Sequence, residues 1–164
     1  MMQKISPSLW FDDNAEEAIA FYSSIFKNSR ILDTSYYDEN APMLKGTLLA
    51  ATFELDGQTF TAINGGPAFP FTEAVSFVVN CENQEEVDYY WAKLLEGGGK
   101  EVRCGWLKDK YGLSWQIVPV VLKKLIGSAD AEKAARAMKA MLKMVKLDIA
   151  ALEKAYYGEP AINS

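Results

Sequence analysis

The chain contains two copies of one sequence pattern. Residues 14–26 read NAEEAIAFYSSIF and residues 83–95 read NQEEVDYYWAKLL, and the two segments align without a gap. Each copy follows an apolar run and precedes a second pair of similar segments, at 57–63 and at 112–118. Internal similarity of this kind indicates tandem structural units of one design. The sequence therefore predicts two similar modules, at about 1–66 and 72–120.

Composition limits the classes of partner. The chain has 164 residues, of which 49% are hydrophobic and 24% charged, and its net charge is −5. These values are typical of one globular domain, or of two small modules that share a core. Nucleic acid is not expected as a partner, because phosphate binding requires a basic face. The N-terminus has no signal-peptide pattern and no apolar run is long enough to span a membrane, so we expect a cytoplasmic protein without membrane contact.

Two residue types limit the chemistry. The chain has no histidine, which is the commonest metal ligand and general base in proteins. Cys81 and Cys104 are its two cysteines, and they do not form a Cys-x-x-Cys motif of the zinc or redox type. We expect both thiols to be reduced. A structural role for Cys104 is favoured over a nucleophilic one, because no histidine can activate it.

Hydrophobic periodicity predicts the same order of elements in both modules. Each copy of the repeat has apolar residues at three- and four-residue spacing, which indicates a helix, and Asn14 is the predicted N-cap of the first. A strand precedes each helix and three strands follow it, although the middle part of the second module is shorter, and a tight turn is predicted at 56–57. The loop at 64–70 separates the modules. The predicted elements lie at 5–11, 14–26, 30–37, 46–55, 59–64, 74–80, 83–95, 102–108 and 114–118.

The residues after Pro119 have a different pattern. Helical periodicity at 130–145 and again from Asp148 predicts a helical hairpin that ends at Gly158. We expect it, within 123–164, to extend the paired domain at 1–122. Lysines recur at helical spacing here, and we interpret them as the solvated side of an amphipathic helix rather than as a binding patch. These lysines are Lys139, Lys143 and Lys146.

A tandem strand-helix-three-strand unit resembles the vicinal oxygen chelate superfamily, which includes glyoxalase I and the bleomycin- and fosfomycin-resistance proteins. Residues 15–22 are similar to its first-helix signature, and residues 110–119 to its final hairpin. The chain is more closely similar to the PhnB-like branch, also labelled the 3-demethylubiquinone-9 3-methyltransferase domain. That resemblance lies in residues 9–11, 64–67 and 104–112, and in the tail at 137–144 and 148–152.

The resemblance implies an α+β fold in which tandem βαβββ modules form a curled mixed sheet around a cleft, with the helical hairpin added. Metal-dependent members carry four ligands in that cleft, at positions that correspond approximately to Pro7, Thr61, Ser76 and Gln116. Only Gln116 is a ligand type, and a divalent site requires anionic or imidazole ligands. We therefore expect no metal and no cofactor. The methyltransferase label is unsupported, because no glycine-rich loop opens a helix after a first strand.

Aromatic and amide side chains on the predicted strands are candidates for lining the cleft. Each aromatic residue could instead pack in the core, but alternation along a strand should place some of them on the concave side. Gln116 either orients a ligand or is a satisfied polar group, and both interpretations stay open. Residues 64–67 either form an anion-binding nest or, as we favour, a turn that requires glycine. The candidate ligand-binding residues are Trp10, Phe60, Asn64, Trp106, Trp115 and Gln116.

These observations leave three functions open. We favour a metal-free protein that binds a small, partly apolar molecule. The alternatives are an interaction protein and a lyase, transferase or isomerase of the superfamily with relocated acid–base residues, which a carboxylate with a raised pKa would indicate. We also expect a homodimer, because Met138, Met141 and Met144 exceed what one thin helical hairpin can bury.

Overall fold

Each copy of the repeat folds into one strand, one helix and three further strands. In our computed structural model, which describes residues 3–41, 43 and 45–158, the chain divides into two units between Phe71 and Thr72. The first unit contains β1 (Ser8–Phe11), α1 (Ala15–Ile25), β2 (Arg30–Tyr36), β3 (Leu48–Leu55) and β4 (Gln58–Asn64). The second contains β5 (Ser76–Cys81), α2 (Gln84–Leu95), β6 (Lys100–Glu101), β7 (Trp106–Lys108), β8 (Ser114–Pro119), α3 (Val121–Ile126), α4 (Ala131–Met141) and α5 (Ile149–Tyr157).

The two units have the same sheet topology. The strand orders are β1-β4-β3-β2 and β5-β8-β7-β6. In each sheet the first and last strands of the module pair in parallel, with Ser8 opposite Thr61 and Ser76 opposite Ser114, and the other neighbours pair antiparallel. The prediction of an α+β fold from tandem βαβββ modules is confirmed. The strands form two four-stranded mixed sheets, whereas one mixed sheet was expected.

Side-chain alternation gives each sheet a face that packs on its helix. In the second unit α2 packs on β5, β7 and β8, and buries Leu107, Trp115 and Ile117. In the first unit α1 packs on β3 and β4, and buries Phe53 and Ala62. Each fully buried aliphatic or aromatic side chain contributes about 1.5–3 kcal/mol, so this packing holds each helix to its sheet. We call the opposite side of each sheet its far face.

The helices α1 and α2 begin differently although their sequences align. The side chain of Asn83 accepts a hydrogen bond from the Glu86 N–H at 2.9 Å, and the Glu86 carboxylate accepts one from the Glu82 N–H at 2.7 Å. This reciprocal arrangement resembles a capping box. Asn14 is the N-cap of α1, but its side chain makes no capping hydrogen bond. Asn14 is therefore the N-cap residue, as predicted, but its side chain does not form the hydrogen bond that a capping asparagine usually makes.

The tail contains three helices where the sequence predicted two. The helix predicted at 130–145 ends at Met141, and the short α3 was missed. Met141 and Met144 pack partly buried against the core that these helices share, so the hairpin has more apolar surface to cover them than expected. Met138, by contrast, is 38% exposed. The buried core of the tail consists of Leu122, Leu125, Ala137, Leu147 and Leu152.

Backbone hydrogen bonds join the tail to the loop before β7. The Cys104 N–H donates to the Met144 carbonyl at 2.9 Å, and the Gly105 N–H donates to the Val145 carbonyl at 2.8 Å. Gly105 has a φ of 81°, and a Cβ there would lie 3.0 Å from the Leu147 side chain. Glycine is therefore required where the tail approaches this loop. No helix in the part of the chain that the structure describes is long and apolar enough to cross a membrane.

Candidate functional site

The far face of the second sheet brings together two of the predicted site residues. Gln116 of β8 lies opposite Val78 of β5 and opposite Trp106 of β7, and residues in register share one face of a sheet. Gln116 Nε2 donates to Ser76 Oγ at 2.9 Å. Val78 is 50% exposed, and Trp106 and Gln116 are half-buried. These side chains form a row that combines an indole, an aliphatic group and an amide.

Ser114 lies on the same face and was not among the predicted residues. It is 1% exposed, and its Oγ has no hydrogen-bond partner among the described residues. Ser114 is opposite Ser76 on β5 and opposite Lys108 on β7. An unsatisfied buried hydroxyl costs about 1–3 kcal/mol. Its position two residues before Gln116 was the sequence signal that could have identified it.

The positive charge of Lys108 is balanced by a neighbouring carboxylate. Its ammonium group pairs with the Glu73 carboxylate, and this hydrogen bond lowers the pKa of Glu73. The pair is neutral as a whole, so this part of the far face carries hydrogen-bonding groups without a net charge.

Trp115 lies on the opposite face of β8, against α2. It is 3% exposed, and its indole Nε1 donates to Asp109 Oδ2 at 2.9 Å. Asp109 Oδ1 accepts from the N–H groups of Tyr111 at 2.9 Å and Leu113 at 3.1 Å. The buried carboxylate of Asp109 thus organises the turn between β7 and β8, and Trp115 takes part in that structure.

In the first unit, Phe60 and Asn64 also lie on the helix-packed face. Phe60 is 5% exposed and stacks on Phe53, with ring centroids 5.6 Å apart. Asn64 is 3% exposed, and its side chain accepts from the Ala15 N–H at 2.9 Å and donates to the Leu48 carbonyl at 3.1 Å. Both residues have structural roles that explain their burial, while their predicted part in ligand binding stays a prediction.

Trp10 lies on the far face of the first sheet and shapes the loop after β4. Its Nε1 donates to the Gly66 carbonyl at 2.8 Å, and a Cβ on Gly65 would lie only 2.2 Å from its ring. The N–H groups of Gly65 and Gly66 donate to the carbonyls of Phe11 and Asp12, both at 3.0 Å. A nest needs free amides, so the geometry favours the turn over the anion-binding alternative.

The positions that the superfamily uses for metal ligands do not fit a metal here. The Thr61 N–H donates to the Pro7 carbonyl at 2.9 Å, and Gln116 is bonded to Ser76. None of these four residues is a carboxylate, a thiolate or an imidazole, which offset the desolvation of a divalent cation. Within the described ranges, no group of three or more Asp, Glu or Cys residues could hold a metal ion.

Hydrogen bonds lower the pKa values of the carboxyl groups of Glu54, Glu73, Asp88 and Asp130, each for a local reason. Hydrogen bonds from Arg30 and from Lys108 lower the pKa of Glu54 and of Glu73. Hydrogen bonds from the Lys146 side chain and from the Lys133 N–H lower the pKa of two further groups. None of the four has the raised pKa expected of a relocated acid–base residue. The two further groups are Asp88 and Asp130.

A separate groove lies in the first unit between α1 and β2. Its volume is about 380 Å³, and its lining includes Ile19, Ile31, Thr34 and Tyr36. None of the predicted site residues lines it. It offers an apolar surface with a few polar groups, as small-molecule sites do.

Two mixed sheets, each with its first and last strands parallel and a helix on one face, form a glyoxalase-like fold. Within that fold class, the chain belongs to the family described as 3-demethylubiquinone-9 3-methyltransferase, whose model matches residues 3–118. The resemblance named from the sequence is therefore confirmed. The match ends before α3, so the tail lies outside it.

Solved structures agree with this assignment. The chain is 42% identical to a PhnB protein from Bacillus cereus whose description names the same methyltransferase, with a TM-score of 0.66 over 72% of this chain and 100% of that one. Protein PA1353 from Pseudomonas aeruginosa is 20% identical, with a TM-score of 0.59 over 72% and 98% of the two chains. The fosfomycin resistance protein FosX from Listeria monocytogenes, complexed with Mn(II) and sulfate ion, is 16% identical, with a TM-score of 0.52 over 76% and 94%. The last two show the fold alone. No curated protein matches the chain in sequence.

Proposed function

We propose that this protein binds a small, partly apolar molecule on the far face of its second sheet. The observation that carries the proposal is the buried Ser114 hydroxyl, which no described atom satisfies. Buried polar groups in native proteins are almost always paired, and exceptions commonly mark a place for water or a ligand. Ser114 is adjacent in register to Ser76, whose Oγ already accepts from Gln116. A ligand oxygen or nitrogen placed here would complete this polar network.

The chemistry of the surrounding residues indicates the class of molecule. Trp106 and Val78 offer apolar surface, while Ser76, Ser114 and Gln116 offer neutral donors and acceptors. Sites for small molecules combine a mostly apolar lining with a few polar groups that fix orientation. A neutral molecule with an aromatic or aliphatic body and one or two polar atoms suits this row. Lys108 lies opposite Ser114 and pairs with Glu73, so the molecule would reach the hydroxyl when this ion pair opens.

We further propose that binding takes place without a metal ion. The support is the residue set at the superfamily's ligand positions, which is neutral: the side chains of Gln116 and Ser76 are bonded to each other, and the Thr61 N–H donates to the Pro7 carbonyl. Divalent sites in proteins ordinarily include carboxylate, thiolate or imidazole ligands, and this set of residues has none.

Methyl transfer is not part of the proposal, although the family description names it. Gly97, Gly98 and Gly99 lie between α2 and β6, and Gly65 and Gly66 follow β4 without opening a helix. Binding of a nucleotide-like methyl donor ordinarily uses a glycine-rich loop between a strand and a helix N-terminus. The two mixed sheets do not provide that arrangement.

Association of two chains is a second part of the proposal. Met138, Leu142 and Val145 in the tail are 38%, 54% and 41% exposed. Exposed apolar residues that are close together favour an interface, and two-fold pairing is the commonest assembly. Light scattering should give twice the mass of about 18.2 kDa expected for one chain, and Leu142→Glu should shift it toward the single-chain mass. A wild-type protein of single-chain mass at tens of micromolar would contradict the dimer.

Native mass spectrometry of freshly purified protein tests the binding proposal. We expect a retained small molecule on the wild type, and its loss from Ser114→Ala and from Gln116→Ala. Tyr36→Leu, in the α1–β2 groove, is the control and should keep it. If both far-face variants keep the small molecule and Tyr36→Leu loses it, the binding site is the α1–β2 groove instead. About one metal ion per chain after dialysis would refute metal-free binding.

A further inference from the structure

A basic recess lies between α4 and the end of α5. Its volume is about 470 Å³, and every charged residue in its lining is cationic. The net charge of the chain is −5, so this concentration of positive charge is local and opposed to the overall balance. The lining consists of Arg136, Lys139, Ala140, Lys143, Ala155 and Gly158.

The guanidinium of Arg136 is held in place by the end of α5. Its Nε donates to the Ala155 carbonyl at 3.1 Å, and its Nη2 donates to the Tyr156 carbonyl at 2.9 Å. Gly158, with a φ of 72°, leaves room for it, since a Cβ there would lie 3.3 Å from the guanidinium. Nη1 has no partner among the described residues. A guanidinium fixed in this way loses little freedom when it binds an anion.

Lys139 follows Arg136 by three residues on α4, and Lys143 lies two residues beyond the end of that helix; both line the recess with Arg136. Neither forms an ion pair in the part of the chain that the structure describes. Lys146 differs, because its ammonium pairs with Asp88 at 2.7 Å. All three lysines are exposed, as expected for a solvated side, and two of them also line the recess beside Arg136.

Small residues make the floor of the recess. Ala140 of α4 lies near Ala155 and Gly158 at the end of α5, and none of the three fills the space between the cations. Among the described residues, Lys139 and Lys143 form no ion pair and Arg136 is bonded only to backbone carbonyls, so an anion with two negative charges would lower the repulsion among the three cations. Arginine can bind a tetrahedral oxyanion through two parallel hydrogen bonds, and lysine adds point charges around it.

We propose that this recess binds the phosphate group of a small soluble molecule. The site belongs to the tail, outside the family match at 3–118 and separate from the far face of the second sheet. Because the two sites are separate, a result that refutes one proposal leaves the other unaffected.

Titration with inorganic pyrophosphate at constant ionic strength tests the site. We expect saturable binding by calorimetry, with amide shifts in the NMR spectrum confined to residues of the recess. Lys139→Ala/Lys143→Ala should weaken binding by about tenfold or more, which corresponds to a loss of about 1.4 kcal/mol. Lys123→Ala/Lys124→Ala removes the same charge from exposed positions on α3 and should stay within about twofold of the wild type.

Three outcomes would overturn the proposal. The first is the absence of saturable binding, and the second is an equal loss in the two double variants, which would indicate a general charge effect. The third is binding of the wild type to phosphatidylcholine vesicles that contain phosphatidic acid without binding to pyrophosphate, which would assign the recess to a lipid headgroup. Circular dichroism of both variants shows whether the helices of the tail are retained.

Discussion

The side-chain oxygen of Asn64 accepts a hydrogen bond from the backbone N–H of Ala15 at 2.9 Å, which joins the last residue of β4 to the first residue of α1. The amide nitrogen of Asn64 donates to the Leu48 carbonyl at the start of β3, at 3.1 Å. One buried amide therefore connects three elements of the first unit. It also supplies the capping contact that the Asn14 side chain does not make.

Replacement of Asn64 by alanine should destabilise the protein by about 2–4 kcal/mol, because it leaves a buried N–H and a buried carbonyl unpaired. Urea denaturation followed by far-UV circular dichroism measures the change. Asn80→Ala, at an exposed position near the end of β5, is the control and should cost less than about 0.5 kcal/mol. Equal effects of the two substitutions would show that the Asn64 bonds contribute little.

Trp115→Phe should cost about 1.5–3 kcal/mol, because the buried carboxylate of Asp109 loses the hydrogen bond from the indole. Trp106→Phe, on the half-buried far face, should cost less than about 1 kcal/mol. Guanidinium denaturation distinguishes the two. If Trp106→Phe were the more destabilising change, the structural roles assigned to the two indoles would have to be exchanged.

Gly65→Ala should destabilise the first unit by about 1–3 kcal/mol, because the added Cβ would overlap the Trp10 ring. The same substitution in a Trp10→Ala background should cost much less, since the overlap is gone. A double-mutant cycle of unfolding free energies measures this coupling. If the effects of Gly65→Ala and Trp10→Ala on the free energy of unfolding were additive, the loop that contains residue 65 would have to move away from the Trp10 ring.

Thiol labelling should distinguish the two cysteines. Burial raises the pKa of the Cys81 thiol to about 12, so almost no thiolate is present at pH 8. Cys104 is half-buried and unpaired. We expect iodoacetamide to modify one site per native chain, Cys104, and mass spectrometry of Cys104→Ser to show labelling only after unfolding. Native labelling of Cys81 would contradict its burial.

The ion pair between Asp88 and Lys146 should contribute to stability only above acidic pH. A hydrogen bond from Lys146 lowers the pKa of Asp88, so its contribution is present above the carboxyl's ordinary pKa and is lost as the pH falls through the lowered value. Because Asp88 is largely exposed, the contribution should be below about 1 kcal/mol. The stability difference between wild type and Asp88→Asn should begin to shrink below about pH 4 and disappear once the pH is below the lowered pKa. Glu85→Gln on the same helix should show no such convergence.

Periodicity was sufficient to predict the two modules, because long apolar patterns specify helix and strand strongly. It was insufficient for α3, because the six residues Val121–Ile126, in which two lysines separate two apolar pairs, are too few to distinguish a helix from a strand. The tail core depends on this helix, so the burial of Met141 and Met144 was underestimated for the same reason.

Strand register explains what was missed at the candidate site. Sequence identified Trp115 and Gln116 as neighbours, but adjacent residues of a strand point to opposite faces. Which of them faces α2 depends on how β8 pairs with β5 and β7, and that pairing is a tertiary property. Ser114 was overlooked because a serine in an apolar strand is unremarkable until its hydroxyl is found buried and unpaired.

The backbone bonds from Cys104 and Gly105 to Met144 and Val145 bear on the order of events during synthesis. The donors leave the ribosome about 40 residues before their acceptors, and at about 5–20 residues per second that interval lasts seconds. The Asn64 bonds, by contrast, close within the first 64 residues. The first unit can therefore begin to fold while the second is still incomplete, and the nascent second unit exposes the β7 loop until its own tail arrives.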